Sequence, residues 1–251
     1  MKKVVSYKGT FDYKRDIGRV RITNEDQAFV LTNYQGDVLM VVCDGMGGQN
    51  KGDFASKMAL DHFVESFKNK RKMPVFLSRL WMIRTIKEAN SIIFEQAEKN
   101  PFYHDMGTTC VAVLIQGTSM IVLNVGDSRA YAYNEFGLRR LTTDQTYVNY
   151  LYRSGQIQER ERDSRPDRHV LMNALGIYPS VNFDIKTMPY CGDTVLLCSD
   201  GLYNNVSEPE IRAVLSTDER TDQKTATLIS EANHNGGSDN VAVALWETFK
   251  E

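Results

Sequence analysis

Leu39–Ser56 reads LMVVCDGMGGQNKGDFAS. An apolar run of core-strand length ends in Asp44. Gly45, Gly47 and Gly48 follow almost at once, and helical periodicity begins from Phe54. Carrying a carboxylate to the end of a buried strand is unfavourable unless something offsets its charge. Clearing side chains from around it lets backbone and ions come close. The stretch therefore reads as strand, acid, glycine loop and helix, with a binding function at the junction.

Three other acids sit in the same kind of place. Asp127 follows MIVLNVG, Asp200 follows TVLLCS, and Asp239 lies in GGSDN just before VAVALW. Each taken alone reads more readily as a turn acid. Four strand-end acids, each with glycine close by, point instead to strands whose ends converge. Converging carboxylates repel unless a positive group lies between them. Hard oxygen donors suit Mg²⁺ or Mn²⁺, and the Gly45 carbonyl is a further candidate ligand. His62, His104, His169 and His234 show no paired spacing, so a zinc site is not expected. Upstream, GRVRITNEDQAF supplies Glu25 and Asp26 as candidates to hold metal-bound water. It also supplies Arg21, whose guanidinium fork suits a phosphate group.

Outward from these acids the chain is built of short strand groups. QAFVLTNYQGDVLMVVCDG reads as strand, turn, strand. GTTCVAVLIQGTSMIVLNVGDSRAYAYNEFGLRRL reads as a meander. NFDIKTMPYCGDTVLLCSDG and DNVAVALWETF add further strands. Such short connections imply antiparallel pairing. Two long helices intervene. In Phe54–Phe67 the apolar face is Leu60, Phe63, Val64 and Phe67. In Pro74–Glu98 it is Leu80, Ile83, Ile86, Ile93 and Ala97, broken by Asn90. SEPEIRAVL, with Ser207 and Glu210 set for a capping box, and TDQKTATLISEAN read as two more helices. Antiparallel sheets covered by helix pairs make an α+β layered domain.

Composition bounds the rest. The length of 251 residues suits one large domain, expected to span 1–251. A net charge of −2 argues against bulk attraction to nucleic acid or membrane. Neither a signal peptide nor a membrane span is expected. Cys43, Cys110, Cys191 and Cys198 form no C-x-x-C pair and read as buried, reduced thiols of a cytoplasmic protein. There is no P-loop, no cysteine with arginine six residues later, and no G-x-S-x-G elbow. KNKRK at Lys68–Lys72 reads as a basic helix end.

The motifs RITNED, VVCDGMGGQNKGDFAS, GTTCVAVL, VGDSRAY, LTTDQT, ALG, GDTVLLCSDGL and GGSDNVAV occur in this order from Arg21 to Val243. Together they resemble the bacterial metal-dependent serine/threonine protein phosphatases of the PPM, or protein phosphatase 2C, type. The resemblance implies a four-layer αββα sandwich, two antiparallel sheets flanked by helix pairs, with two tightly bound Mn²⁺ or Mg²⁺ ions and a third weaker one. By motif, Asp44 resembles the bridging ligand and Gly45 the carbonyl ligand. Asp200 and Asp239 resemble ligands of the second ion, and Asp127 that of the third. Arg21 resembles the phosphate-binding arginine; Glu25 and Asp26 resemble acids that orient the attacking water. Met46 stands where eukaryotic members carry histidine, and Gln145-Thr146 stands where the family continues with His-Ser.

The charged stretch Tyr152–Pro179 matches the family's flap, with Arg160, Arg165 and His169 as candidate substrate contacts. The implied partners are phosphorylated proteins, a cognate Ser/Thr kinase and its substrates, met by a monomer that binds no nucleic acid and inserts in no membrane. A catalytically weak phosphoprotein-binding adaptor and a small-molecule phosphomonoesterase are the alternatives.

Overall fold

The computed structural model describes residues 7–47, 51–162 and 165–249. Gly48 of the glycine loop and Asp163 of the charged stretch lie outside the described residues.

The decisive strand is β3 (Val38–Met46), buried almost throughout although strands alternate faces. It is buried because it is covered twice. Leu39, Val41 and Cys43 pack in one apolar cluster with the helices α1 (Lys51–Lys68) and α2 (Val75–Lys99). Val38, Met40 and Val42 pack in a second cluster against another sheet. The same holds for β10 (Thr194–Cys198). Its Val195 and Leu197 join the inter-sheet cluster, while Leu196 and Cys198 face a third cluster under α6 (Glu208–Leu215) and α7 (Thr221–His234). Three apolar clusters separated by two sheets make the four-layer αββα sandwich.

One sheet runs β2 (Asp26–Thr32), β3, β5 (Cys110–Gln116), β6 (Ser119–Val125) and β9 (Asp184–Pro189), with the short β4 (Gly107–Thr108) paired to β3. The other runs β1 (Gly9–Asp16), β11 (Val241–Thr248), β10, β7 (Arg129–Asn134) and β8 (Gly137–Arg140). Every paired strand is antiparallel. The β2–β3 register places Asp26 directly across from Asp44. The capping box of α6 forms as expected, with Ser207 and Glu210 reciprocally bonded.

Four expectations need correcting. Leu80 is exposed, because α2 buries Ser78, Met82, Thr85 and Ile86 instead. Small hydroxyl residues serve where α2 meets α1: Ser66 and Thr85 hydroxyls lie 3.2 Å apart. The KNKRK run is more than a helix end, since Lys70 is buried and its Nζ bonds Asp37 at 2.9 Å. Cys191 is exposed, whereas Cys43, Cys110 and Cys198 are buried. Asn90 is not a flaw in an apolar face but a clamp. Its amide donates to the Tyr178 carbonyl at 3.0 Å and its oxygen accepts from Gly176 N–H at 2.9 Å.

Asn90 thus fastens the returning end of the 152–179 segment to α2. Asn90→Ala should lower stability by about 1–3 kcal/mol, because it leaves the buried Gly176 N–H without its partner. Urea unfolding measures this; an unchanged midpoint would show the clamp to be dispensable.

Candidate metal centre

The strand ends foreseen to converge do so. Asp44 and Gly45 close β3, Asp127 lies between β6 and β7, Asp200 opens the short helix α5 (Asp200–Tyr203) after β10, and Asp239 precedes β11. With Arg21, Glu25, Met46 and His169 they line one cavity of about 290 Å³. Of the expected site residues, Asp26, Arg160 and Arg165 do not line it. Asp26 is buried, and its carboxylate accepts from the Ser199 hydroxyl at 2.6 Å. Arg165 is turned onto Asp167 at 2.8 Å, and Arg160 is exposed on α4 (Glu159–Arg162). From the 152–179 segment His169 and Leu171 reach in, with His169 Nδ1 at 4.0 Å from Asp200.

Polar residues that were not singled out as site candidates hold the loops in place. Asn240 accepts from Glu25 N–H at 2.8 Å and donates to the carbonyls of Ile17 and Thr23, each at 2.9 Å. It stitches the Arg21 loop to the Asp239 loop. Thr109 Oγ1 accepts from Asp44 N–H at 3.0 Å and lies 2.7 Å from the Ser128 hydroxyl, tying β3 to the Asp127 loop. Asn240, Thr109 and Ser128 lie inside the motifs GGSDNVAV, GTTCVAVL and VGDSRAY, where no role had been assigned to them.

Gln145, noted as a departure from the family pattern, is a hub. Its oxygen accepts from Gly126 N–H at 2.9 Å and from the Asn173 amide at 2.8 Å. Its own amide reaches Asp184 at 3.2 Å, and its carbonyl accepts from Met172 N–H at 2.8 Å. One side chain thereby joins the loop carrying Asp127 to the returning limb of the flap.

The site is charged against itself. Burial, then the neighbouring charges of Asp26, Asp200, Asp127 and Asp239, hold the Asp44 carboxyl well above the usual carboxylate range. Burial chiefly pushes Asp26 up to about 8, Asp127 to about 7 and Asp200 to about 6. Arg21 is the cation at the rim, its Nη2 at 2.8 Å from Asp239.

The donors fit a hard divalent cation. They are all oxygen, they repel one another, and Glu25 Oε1 is buried with no hydrogen-bond partner. Gly45 is cradled so closely that a Cβ would stand 2.1 Å from the Gly52 carbonyl oxygen. Among the described residues, no three acid, histidine or cysteine side chains form a ready-made cage. The carboxylates line the cavity walls beside Gly45.

These shifts set a pH dependence. Carboxyls with raised pKa values make the folded chain bind more protons than the unfolded one between about pH 4 and 8. Their stabilising contribution is full below about pH 4 and is lost as pH rises through the values for Asp200, Asp127 and Asp26. In EDTA the unfolding free energy should fall across this window by up to about 1.4 kcal/mol per pH unit for each titrating group, and the melting temperature should fall with it. Mn²⁺ should raise it more at pH 8 than at pH 5. A metal-free melting temperature that climbs from pH 5 to 8 contradicts this picture of the site.

Comparison with known proteins agrees with the geometry. The family model described as protein phosphatase 2C matches residues 18–242. The serine/threonine phosphatase stp of Listeria monocytogenes is 36% identical over 238 residues, 94% of each chain. The crystal structure of the serine/threonine phosphatase Stp1 from Staphylococcus aureus superposes with a TM-score of 0.92 at 30% identity, covering 100% of this chain and 99% of that one. The catalytic domain of the serine/threonine protein phosphatase PstP, in complex with two manganese ions, superposes with a TM-score of 0.83 at 29% identity, over 96% of this chain and 99% of that one. The chain belongs to the protein phosphatase 2C family.

Proposed function

We infer that this protein hydrolyses phosphoserine and phosphothreonine in proteins, using a dinuclear manganese or magnesium centre. The observation that carries the reading is the placement of Arg21 against Asp239, at the rim of a cavity walled by Asp44, Asp127 and Asp200. An anion-gripping fork beside a cation-seeking cluster is the arrangement that phosphoryl transfer to water requires.

Asp44 and the Gly45 carbonyl, with Asp200 and Asp239, would hold the two ions, and Asp127 would hold a third, weaker one. When bound, the ions activate water and neutralise charge on the phosphoryl group. The chain's own part is orientation. Arg21 holds phosphate oxygens against the carboxylate set. Glu25, whose carboxylate accepts from Gly52 N–H at the start of α1, would position the attacking water. Asp26 backs Asp44 from across the strand pair. Met46 lines the cavity and brings no proton. Of the described histidines, His169 is the one that lines it.

The adaptor reading is weaker, because the acids, Gly45 and Arg21 all face the same cavity. The flap above it favours protein substrates over small phosphomonoesters. A cognate Ser/Thr kinase and its targets are the proposed substrates, met in the cytoplasm by a monomer. No helix of the described residues is long and apolar enough to cross a membrane. Phosphate release from phosphothreonine peptides, compared with phosphotyrosine peptides and sugar phosphates, tests the assignment directly.

Two variants separate the roles. Asp239→Asn should weaken Mn²⁺ binding and lower turnover by orders of magnitude, and EDTA should abolish turnover in the wild type. Full activity in either condition would remove the two-ion centre from the mechanism. Arg21→Ala should leave Mn²⁺ affinity near wild type while the Michaelis constant rises by about one to two decades. That is the value of a lost charge-assisted contact of roughly 1.5–3 kcal/mol. Unchanged kinetics would return Arg21 to the surface.

A further inference from the structure

A net charge of −2 conceals a local excess. Residues 66–87 carry seven lysines and arginines and not one acid. Lys70 is taken up by Asp37, and Arg84 Nε lies 2.6 Å from Glu88. Lys68 stands 4.0 Å from Glu65. Arg71 and Lys72 are exposed in the linker before α2, without an ion pair among the described residues.

Apolar side chains stand out of the same surface. Phe76 is 65% exposed, Leu80 53% and Leu77 39%. The i, i+4, i+8 spacing sets Phe76, Leu80 and Arg84 on one stripe of α2. Tyr34, at the tip of the β2–β3 turn, is 89% exposed. The Lys70–Asp37 bond ties that turn to the basic linker, and Gln116 ties the β5–β6 turn to it through the Met73 carbonyl at 2.7 Å. Cations, aliphatic chains and a tyrosine therefore share one pole of the molecule. It is the pole of β3 opposite Asp44, about 20 Å away at a strand's rise per residue.

Single exposed leucines are ordinary. A surface that joins the exposed phenylalanine and leucines of α2 to Arg71 and Lys72 of the adjoining linker, with acids excluded for 22 residues of sequence, fits an anionic lipid interface. Nucleic acid would use the cations and leave Phe76, Leu77 and Leu80 in water. We propose that the linker at 68–74 and the first turns of α2 dock this protein peripherally on an anionic membrane surface. The catalytic cavity, at the other pole, then faces away from the lipid. The docking needs no metal and no substrate, so it stands apart from the phosphatase reading.

The test is sedimentation of the full chain with vesicles of phosphatidylglycerol and phosphatidylcholine in a one-to-three ratio, beside vesicles of phosphatidylcholine alone. The expected result is retention by the anionic vesicles only, weakened by salt. Arg71→Glu with Lys72→Glu should lower partitioning about tenfold or more. Phe76→Ser with Leu80→Ser should lower it severalfold. Both double variants should keep the wild-type melting temperature and the wild-type rate on a soluble aryl phosphate. No retention at low salt would overturn the proposal. So would retention that the apolar variant leaves untouched, since a purely ionic contact marks an acidic protein or nucleic-acid partner.

Discussion

Asp26 lies across from Asp44 in the β2–β3 ladder, and the rest of the site is arranged around that confrontation. Two carboxylates facing each other at a buried strand end cannot both ionise at low cost. Asp127, Asp200 and Asp239 bring the same charge to the same pole from three further connections. Nothing in the apolar clusters offsets this repulsion, and the single rim arginine is too little for it. The fold is therefore built to be completed by cations at one end. The sandwich supplies the rigidity that keeps the acids from moving apart: β3, β10 and β11 are each packed on both faces.

Much of this was legible because it is local. A strand buried on both faces shows as an unbroken apolar run, and an acid at its end shows as a break in that run. Asp44, Asp127, Asp200 and Asp239 were readable for that reason, and so was the capping box at Ser207. What stayed hidden depends on distance along the chain. Asn240 meets Glu25 across 215 positions, and Ser199 meets Asp26 across 173. No pattern in either neighbourhood announces the pairing. Lys70 could not be told from its basic neighbours until Asp37, 33 residues earlier, was placed beside it. Leu80 misled because the contact that Thr85 makes with Ser66 of α1 looks polar in a hydrophobic pattern, yet small hydroxyl residues let the two helices pack closely.

The flap shows the same division between local signal and distant partner. Its charge density was plain, but charge density did not identify which side chain reaches the cavity. Arg165 is absorbed by Asp167, while His169 enters the cavity. That entry is set by two residues outside the flap. Asn90 holds its far end to α2, and Gln145 holds Met172 and Asn173 to the loop before Asp127. A segment fastened at these points is an extension of the Asp127 loop, so the cavity-lining His169 and Asp127 are mechanically joined. The Gln145-Thr146 departure from the family pattern falls at that joint.

The two ends of β3 carry opposite problems. At Asp44 the chain gathers negative charge that needs cations. At Val38 the β2–β3 turn meets a linker that gathers positive charge, of which Asp37 neutralises only Lys70. The near-zero net charge is the sum of two poles, not the absence of either. Such separation gives the molecule a direction: an anionic surface attracts one end, while the acid-lined cavity with Arg21 at its rim stands at the other. Because the sandwich is rigid between them, binding at the basic pole fixes which way the cavity points without having to change its shape.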